Sequence, residues 1–267
     1  MQCIVINLDR STDRLKEIAE EFERVDVQFI RLSAVDGRAL SPEDMERLTP
    51  ATSLWPHAIT PSELGCYLSH RKSLEIIANG KDEYGAVFED DVSFSPHIGH
   101  LLKDESWIPP SADLVKLETT SKTVLVGKLS EIADTHIRIG RLLSIHLCTG
   151  GYIISRSAAQ KVLSLMEQVL VPIDNLIFDP NYDCFHSLKI YQVSPAVCIQ
   201  RRRLGEHQDS LIQLERRTQR TKRKGFAKLV KEVQRPFQKC VRAMRGVFIN
   251  VFTDQHWKPV KFDNKAR

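Results

Sequence analysis

The sequence predicts an α/β fold in which an open, mixed but mainly parallel sheet is flanked by helices and followed by a basic helical C-terminal region. Short apolar runs alternate with stretches of helical spacing in the first 90 residues, and strand-like runs crowd together between residues 114 and 154. The 267 residues are 42% hydrophobic and 27% charged, with 12 glycines and 12 prolines. This composition excludes collagen-like, low-complexity and mostly disordered proteins.

The opening elements are predicted to form a strand, a helix and a second strand. Residues 3–6 are a short apolar run, and residues 15–22 place apolar side chains at helical spacing. Residues 27–32 then alternate between apolar and polar side chains, as a half-buried strand does, and Asp36-Gly37 is typical of a turn.

The best-marked helix begins after Thr60. Thr60 is suited to cap the helix, Pro61 to occupy its first position, and Glu63 to complete a capping box. The apolar spacing predicts that this helix ends near Asn79-Gly80.

The remaining elements of the body are mostly short buried strands. They are predicted at residues 86–88, 114–117, 123–126, 137–139 and 151–154, with a helix from about 157 to 170.

Charge divides the chain into two regions. Residues 1–200 carry 19 Lys and Arg against 28 Asp and Glu, whereas residues 201–245 carry 15 against 4. We therefore predict one domain over 1–205, with an acidic balance, and a basic helical region over 206–267. The clustered charge favours a polyanionic partner for the second region.

Several classes of protein are disfavoured by what the sequence lacks. No stretch approaches the roughly 18 uncharged apolar residues of a membrane-spanning helix, and residues 1–7 lack the basic segment of a signal peptide, so we expect a cytoplasmic protein. The six cysteines show no CxxC spacing and are expected to be reduced core residues. Glycine motifs of dinucleotide-binding folds and P-loop NTPases are also missing.

Three consecutive acids, Glu89-Asp90-Asp91, follow a predicted buried strand. Their charges repel one another unless a cation, a basic partner or protonation relieves them. Carboxylate oxygens suit magnesium or manganese, which also accept diphosphate oxygens. The alternative is a solvated loop that caps the next turn.

Residues 7–14 follow the first strand, at the edge where open α/β sheets place ligands. Arg10, Arg14 and a helix N-terminus offer an anion site there. Alternatively, Asp9 or Ser11 caps the helix and the arginines form surface ion pairs.

Five motifs together resemble the family-25 glycosyltransferases of lipopolysaccharide and lipooligosaccharide biosynthesis, to which the collagen galactosyltransferases are also related. The matching pieces occur in the family order and span residues 3–200. They are IVINLDR with Asp13-Arg14, SAVDG at 33–37, ELGCYLSH at 63–70, VFEDDV at 87–92 and GGYIIS at 150–155.

The resemblance implies a GT-A-like fold, a UDP-galactose or UDP-glucose donor, and a divalent metal, usually manganese. By analogy Asp90 and Asp91 lie nearest the metal, and Glu89 positions the loop or the ribose. His207 falls where such enzymes often place a late metal or phosphate ligand, although a lone histidine in a polar stretch is commonly a surface residue. The resemblance also implies a substrate-binding set composed of Asn7, Leu8, Asp9, Arg10, Arg14, Asp36, Gly37, Ser69, His70, Lys72, Glu89 and Gly151.

The catalytic base is predicted to be Asp174, because Val171-Pro172-Ile173-Asp174 resembles the Pro-Val-Asp segment of the family. A base is needed to deprotonate the acceptor hydroxyl. Asp174 could instead cap a turn, and Asp179 and Asp183 remain rivals. His70 could instead be a structural histidine, in the core or on the surface of its helix, and not a substrate-binding residue.

The basic region has two interpretations. The resemblance implies a lipid-linked oligosaccharide acceptor and favours peripheral association with the anionic cytoplasmic face of the inner membrane. In the other interpretation Leu229, Val233 and Phe237 pack on the catalytic domain and the charges face water.

The sequence thus predicts a metal-dependent hexosyltransferase that transfers galactose or glucose from UDP to lipopolysaccharide or lipooligosaccharide, with inversion at the anomeric carbon. One rival is a nucleic-acid-binding protein that uses the basic run 216–224. Because residues 201–224 lack aromatic side chains for base stacking, no nucleic acid is expected as partner. The other rival is a metal-dependent phosphohydrolase, which leaves the motifs at 33–37 and 63–70 unexplained.

Overall fold

The computed structural model describes residues 1–50, 55–205, 212, 215–216, 250 and 253–264. Within these residues the chain forms thirteen strands. They are β1 (Gln2–Asn7), β2 (Ile30–Ser33), β3 (Tyr84–Glu89), β4 (Val92–Phe94), β5 (Leu114–Lys116), β6 (Glu118–Thr119), β7 (Thr123–Val126), β8 (Ser130–Glu131), β9 (Arg138–Arg141), β10 (Gly151–Ser155), β11 (Ile190–Ser194), β12 (Cys198–Gln200) and β13 (His256–Pro259).

The same residues contain seven α-helices and two short 3-10 helices, at Gly37–Ala39 and Arg201–Leu204. The α-helices are α1 (Thr12–Arg24), α2 (Pro42–Leu48), α3 (Pro61–Ala78), α4 (Ile98–Lys103), α5 (Arg156–Ser164), α6 (Ile173–Phe178) and α7 (Asp183–Ser187). None of the helices in the described part of the chain is long and apolar enough to cross a membrane.

Eight strands form one open mixed sheet in the order β2-β1-β3-β10-β5-β11-β9-β8. The predicted sheet class is confirmed, but the prediction of mainly parallel pairing is wrong. Three of the seven neighbouring pairs are parallel and four are antiparallel. β10 runs against both of its neighbours, and short buried runs carry no signal for strand direction.

Helices cover both faces of this sheet. Ile4 and Ile6 of β1 join a core shared with α3, α5 and α6, whereas Cys3 and Val5 join a second core with α1 and α4. This division follows from the alternation of side chains along a strand. The central strands are buried on both faces, and the parallel strands β1 and β3 deliver their carboxyl ends to one edge of the sheet.

α3 begins as the sequence predicts. The Thr60 hydroxyl accepts a hydrogen bond of 3.2 Å from the Glu63 amide, and the Glu63 carboxylate accepts one of 2.8 Å from the Thr60 amide. A Cβ on Gly65 would lie 2.6 Å from the Val35 carbonyl oxygen, so glycine permits the turn at Asp36-Gly37 to touch α3. This contact fixes the turn beside the carboxyl end of β1.

Some element boundaries differ from the predictions. β2 begins at Ile30 rather than 27, and it is an edge strand in which Ile30 is 46% exposed. α5 ends at Ser164, after which Leu165 is exposed, so the predicted helix to 170 is too long. Met166 and Val169 lie instead in the loop after α5, which is partly exposed, and their side chains are buried in the core.

The end of the chain returns to the body. β13 pairs antiparallel with β7, and Val260 is fully buried in the core. Residues 256–259 are therefore a strand within the region predicted to be helical, because their backbone completes a two-stranded ribbon with β7. The alternative in which Leu229, Val233 and Phe237 pack on the catalytic domain concerns residues outside the described part of the chain. Cys3, Cys66, Cys148, Cys184 and Cys198 are unpaired, as expected.

Candidate active site

A cavity of about 330 Å³ opens at the edge of the sheet where β1 and β3 end. Its wall combines the start of α1, the turn at Asp36-Gly37, one face of α3, the acidic loop 89–91, the loop before β10, the start of α6 and residues 200–203. The sequence motifs at 7–14, 33–37, 63–70 and 89–91 therefore meet at one place, although they are far apart along the chain.

Glu89 is the most extensively bonded of the three acids. Its carboxylate accepts hydrogen bonds from Thr149 Oγ1 at 2.8 Å and Gln200 Nε2 at 3.2 Å, and lies 3.4 Å from His70 Nε2. Burial opposes ionisation, but the contacts with His70 and Thr149 hold the Glu89 pKa below its ordinary value. Glu89 is thus held as an anion in a fixed orientation.

Asp90 is tied to β1 and α1. Its Oδ2 accepts a hydrogen bond of 2.7 Å from Asn7 Nδ2, and its Oδ1 lies 3.4 Å from the Arg14 guanidinium. Burial nevertheless raises the pKa of Asp90, with Asn7 and Arg14 acting in the opposite direction.

Asp91 has a buried carboxylate oxygen, Oδ1, without a hydrogen-bond partner. Burial and the neighbouring charges of Glu89 and Asp90 raise the pKa of Asp91 to about 7. A buried anionic oxygen without a donor is costly unless a cation satisfies it. The carboxylates at 89–91 therefore fit a hard divalent cation, and the orphaned Oδ1 is the atom that carries this fit.

Cys66 and His70 approach the acids from α3. Ligand atoms of Cys66, His70 and Glu89 all lie within 4.8 Å of one another. His70 is fully buried, its Nδ1 lies 3.0 Å from the Tyr152 hydroxyl, and its ring stacks on the Tyr152 ring at a centroid distance of 5.7 Å. His70 is therefore a core residue that also contacts Glu89. Its structural interpretation and its interpretation as a site residue both apply.

Asp174 lies in the first turn of α6 and lines the same cavity. One carboxylate oxygen accepts a hydrogen bond of 3.3 Å from the Cys148 amide, and the other accepts one of 2.9 Å from the Asn175 amide. Burial raises the pKa of Asp174, and the Arg216 guanidinium opposes that rise. A carboxylate with a raised pKa is suited to accept a proton.

A buried lysine supports the loop that contacts Asp174. The Lys116 ammonium donates to the Cys148 carbonyl, lies 3.5 Å from a Glu118 carboxylate oxygen, and sits 4.0 Å above the centroid of the Phe178 ring. Cys148 has a left-handed backbone with φ of 79°, which is unusual for a residue with a side chain. Lys116 therefore holds, through the carbonyl, the same residue whose amide donates to Asp174.

Comparison with known proteins identifies the family of the chain. The family model described as glycosyltransferase family 25 (LPS biosynthesis protein) matches residues 1–177. A lacto-N-neotetraose biosynthesis glycosyltransferase, LgtB, of Neisseria gonorrhoeae is 32% identical over 236 residues, covering 82% of this chain and 84% of the relative. The chain belongs to glycosyltransferase family 25.

A more distant relative covers the chain almost completely. The lipooligosaccharide biosynthesis protein lex-1 of Haemophilus influenzae is 26% identical over 90% of both chains. Among solved structures, a glycosyltransferase involved in the glycosylation of the major capsid of PBCV-1 aligns with a TM-score of 0.41 and 8% identity, over 74% of this chain and 91% of that one. The family and its relatives identify the chain as a glycosyltransferase of lipopolysaccharide or lipooligosaccharide biosynthesis, with a sugar donor and an oligosaccharide acceptor.

In this family-25 enzyme most of the predicted site residues line the cavity. They are Leu8, Arg10, Arg14, Asp36, Gly37, Ser69, His70, Glu89, Asp90, Asp91 and Asp174. Arg10 forms an ion pair with Asp36 at the rim, and Ser69 donates to the Gly65 carbonyl and accepts from the Val35 amide. The rivals Asp179 and Asp183 lie outside the lining.

Four predicted residues lie elsewhere. Asn7 is buried behind the acidic loop and reaches the cavity only through Asp90. Asp9 points outward to Arg31 and Ser33, and Lys72 is exposed outside the cavity lining because it lies two residues beyond His70 on α3. Gly151 lies inside the sheet, where a Cβ would come within 2.7 Å of Cys198 Sγ. His207 lies outside the described residues.

Several lining residues reach the cavity through tertiary contacts and were not predicted from the sequence. Cys66, Thr149, Gln200 and Arg202 are among them. The Arg202 guanidinium donates twice to Gln200 Oε1, at 3.2 and 2.7 Å, while its third nitrogen is buried without a hydrogen-bond partner. The run Arg201-Arg202-Arg203 was the available signal, because it clusters cations in a mostly acidic body, and the Arg201 amide donates to the Asp91 carbonyl.

Proposed function

We propose that this glycosyltransferase transfers a hexose, galactose or glucose, from a UDP-sugar to a saccharide acceptor of lipopolysaccharide or lipooligosaccharide, with a divalent metal and with inversion. The observation that carries the proposal is the buried, partnerless Oδ1 of Asp91 beside two further carboxylates in a cavity lined with arginines. This combination suits sugar-nucleotide chemistry, because the diphosphate is both the anionic group that is bound and the leaving group.

The proposed metal site consists of Asp91 and Asp90, with Glu89 orienting the loop. Manganese, the proposed ion, would neutralise negative charge on the departing diphosphate. Asn7 and Arg14 keep Asp90 turned toward β1 and α1, and the bonds from Thr149 and Gln200 hold Glu89. These contacts fix the carboxylates before the substrate arrives, which reduces the reorganisation that binding requires.

Arginines supply the anion-binding side of the proposed donor site. Arg14 and Arg10 lie at the end of β1, and Arg202 and Arg203 follow β12 on the opposite wall. The unpaired nitrogen of Arg202 is available for a phosphate oxygen, and a planar guanidinium suits such a contact.

Asp174 is the proposed base. As the acceptor oxygen bonds to the anomeric carbon, the bond from that carbon to the diphosphate oxygen breaks, and Asp174 takes the hydroxyl proton. A single in-line displacement inverts the anomeric centre and needs no covalent nucleophile. The raised pKa of Asp174 makes this carboxylate a better proton acceptor than an exposed aspartate.

The acceptor end of the proposal includes a membrane. A lipid-linked oligosaccharide acceptor would bring the enzyme to the cytoplasmic face of the inner membrane, and the excess of Lys and Arg in residues 201–245 suits an anionic surface. This peripheral association is proposed from the charge of the sequence.

The proposal is tested with a panel of nucleotide sugars, scored for UDP release with manganese, with chelator, and with or without a terminal-saccharide acceptor. We expect release from UDP-galactose or UDP-glucose that requires both metal and acceptor. Metal-dependent release that ignores the acceptor would favour the phosphohydrolase alternative. Full activity in chelator would overturn the metal assignment.

A further inference from the structure

A second group of metal-binding side chains lies away from the cavity, where the C-terminal residues 253–264 meet the body. It consists of His97, His136 and Asp263, whose ligand atoms all lie within 4.8 Å of one another. His97 precedes α4, His136 precedes β9, and Asp263 follows β13, so three separate parts of the chain converge. None of these three residues lines the cavity.

The carboxylate of Asp263 faces one imidazole with each oxygen. Oδ2 lies 2.8 Å from His97 Nδ1, and Oδ1 lies 2.9 Å from His136 Nε2. The two imidazole rings meet edge to face, at 83° and a centroid distance of 4.8 Å. A nitrogen of each ring therefore points at the same carboxylate from a different direction.

The surroundings hold the carboxylate in place and leave one side of the cluster open. The side chain of Asp263 is 1% exposed, and its Oδ2 accepts a hydrogen bond of 2.5 Å from Ser95 Oγ. Ser95 Oγ also accepts a hydrogen bond of 3.1 Å from the His97 amide. The His136 side chain is 37% exposed, so water reaches the cluster from that side.

We propose that His97, His136 and Asp263 bind a zinc ion, with water completing the coordination. Two imidazole nitrogens and one carboxylate oxygen are ligands that zinc prefers, and Ser95 orients the carboxylate from behind. Metal–ligand bonds of about 2.0–2.1 Å in a tetrahedron place neighbouring donor atoms about 3.3 Å apart. The two imidazole nitrogens now face different oxygens of Asp263, at 2.8 and 2.9 Å, and the three ligand atoms all lie within 4.8 Å of one another. Changes of no more than about 1.5 Å in the distances between them therefore reach the tetrahedral spacing.

The proposed ion would have a structural role. The backbone amide of Asp263 donates to the Ala196 carbonyl, and Phe262 forms a bridge with Ala196, so the cluster lies at an existing attachment of the C-terminal residues to the body. Zinc requires that both facing nitrogens be unprotonated, and it would replace two hydrogen bonds by stronger bonds to the metal. It would thereby fasten the residues that follow the basic region to α4 and β9.

The test uses the full chain, stripped with chelator and titrated first with cobalt and then with zinc. We expect one equivalent of cobalt to give the visible absorption of a four-coordinate site and to be displaced by zinc. His97→Gln and His136→Gln should each weaken binding by about tenfold or more. His100→Gln is the matched control, because His100 lies on α4 outside the cluster and should leave binding unchanged.

The thermal transition provides a second measurement. Zinc should raise the Tm of the wild-type chain and of Asp91→Asn, but not that of His136→Gln, whose half-exposed side chain can be replaced without disturbing the core. If one equivalent of metal still binds to both His97→Gln and His136→Gln but not to Cys66→Ser, the ion lies at the cavity and the proposal is overturned. The proposal is also overturned if the wild-type chain does not bind one equivalent of cobalt or zinc. Glycosyl transfer is not measured, so this result is independent of the proposed function.

Discussion

Asn7 and Asp90 join the ends of two neighbouring parallel strands. Asn7 Nδ2 donates to Asp90 Oδ2 at 2.7 Å and to the Ser11 carbonyl at 3.0 Å, while Asn7 Oδ1 accepts from Arg31 at 3.0 Å. A single buried amide thus connects β1, the start of α1, β2 and the acidic loop. The orientation of Asp90 depends on a residue that does not itself line the cavity.

Asn7→Ala should lower stability and metal-dependent turnover together. It leaves a buried carboxylate oxygen without its donor, which costs about 1–3 kcal/mol. Asn7→Asp is the matched variant of the same size, and it should be worse because it places a second carboxylate against Asp90. Urea denaturation and the apparent manganese affinity measure both effects. Equal activity of Asn7→Asp and the wild-type chain would contradict this role.

Asp91→Asn should abolish metal-dependent transfer and leave the fold intact. Loss of a charge that binds the metal should reduce kcat/KM by about a hundredfold or more. The pKa of Asp91 is raised from 3.8 to about 7, so the native state loses stability as pH rises through this range, and above about pH 7 it carries the full cost of the ionised carboxylate. In chelator at pH 8 the Tm of Asp91→Asn should therefore equal or exceed that of the wild-type chain.

The control for Asp91→Asn is Asp82→Asn, a neutralised exposed aspartate just before β3. It should leave both turnover and Tm unchanged. Retained metal-dependent turnover in Asp91→Asn would remove this carboxylate from the metal site.

Lys116→Met should impair the proposed base through Cys148. The side chains of Lys116 and Glu118 are both 0% exposed, so removal of the lysine leaves a buried carboxylate without its cation and costs about 3–5 kcal/mol. Lys116→Met with Glu118→Gln should recover much of that stability but not kcat, because the Cys148 carbonyl still lacks its donor. KM for the donor should change less than kcat. Lys128→Met, at an exposed lysine, is the control. A normal kcat in the chain with both Lys116→Met and Glu118→Gln would exclude the positioning role of Lys116.

Local signals in the sequence located the main parts of the site. The capping box at Thr60 and Glu63 depends on residues three apart, so it was readable without any tertiary information. The acids 89–91 followed an apolar run that ends at the expected sheet edge. The family resemblance included the motif at 33–37, and the structure places it against α3 through the close approach of Gly37 and Gly65.

Other features depend on contacts between distant segments. Lys116 lies in an apolar run that predicts a strand, and nothing local shows that its ammonium is buried over Phe178. Gln200 and Arg202 reach the acids only because β12 pairs antiparallel with β4. β10 pairs antiparallel with β3 and β5, and its short apolar run carries no signal for that direction. These features arise from pairing between distant segments of the chain. Local patterns in a single sequence do not show which segments pair.

Arg216→Gln should move the acidic limb of the pH–activity profile to higher pH. Burial raises the pKa of Asp174 above its ordinary value of 3.8, and the Arg216 guanidinium opposes that rise. Only the ionised carboxylate accepts a proton, so activity is lost as pH falls through this pKa, and removal of the cation raises the pKa further. The dependence of kcat/KM on pH measures the shift, with Arg156→Gln, outside the cavity, as a control that leaves the limb in place.

Because Arg216 also pairs with Glu63 at the capping box of α3, the Tm is recorded in parallel. An acidic limb that stays in place or moves to lower pH, in a variant with wild-type Tm, would show that Asp174 is not the group whose ionisation limits the reaction.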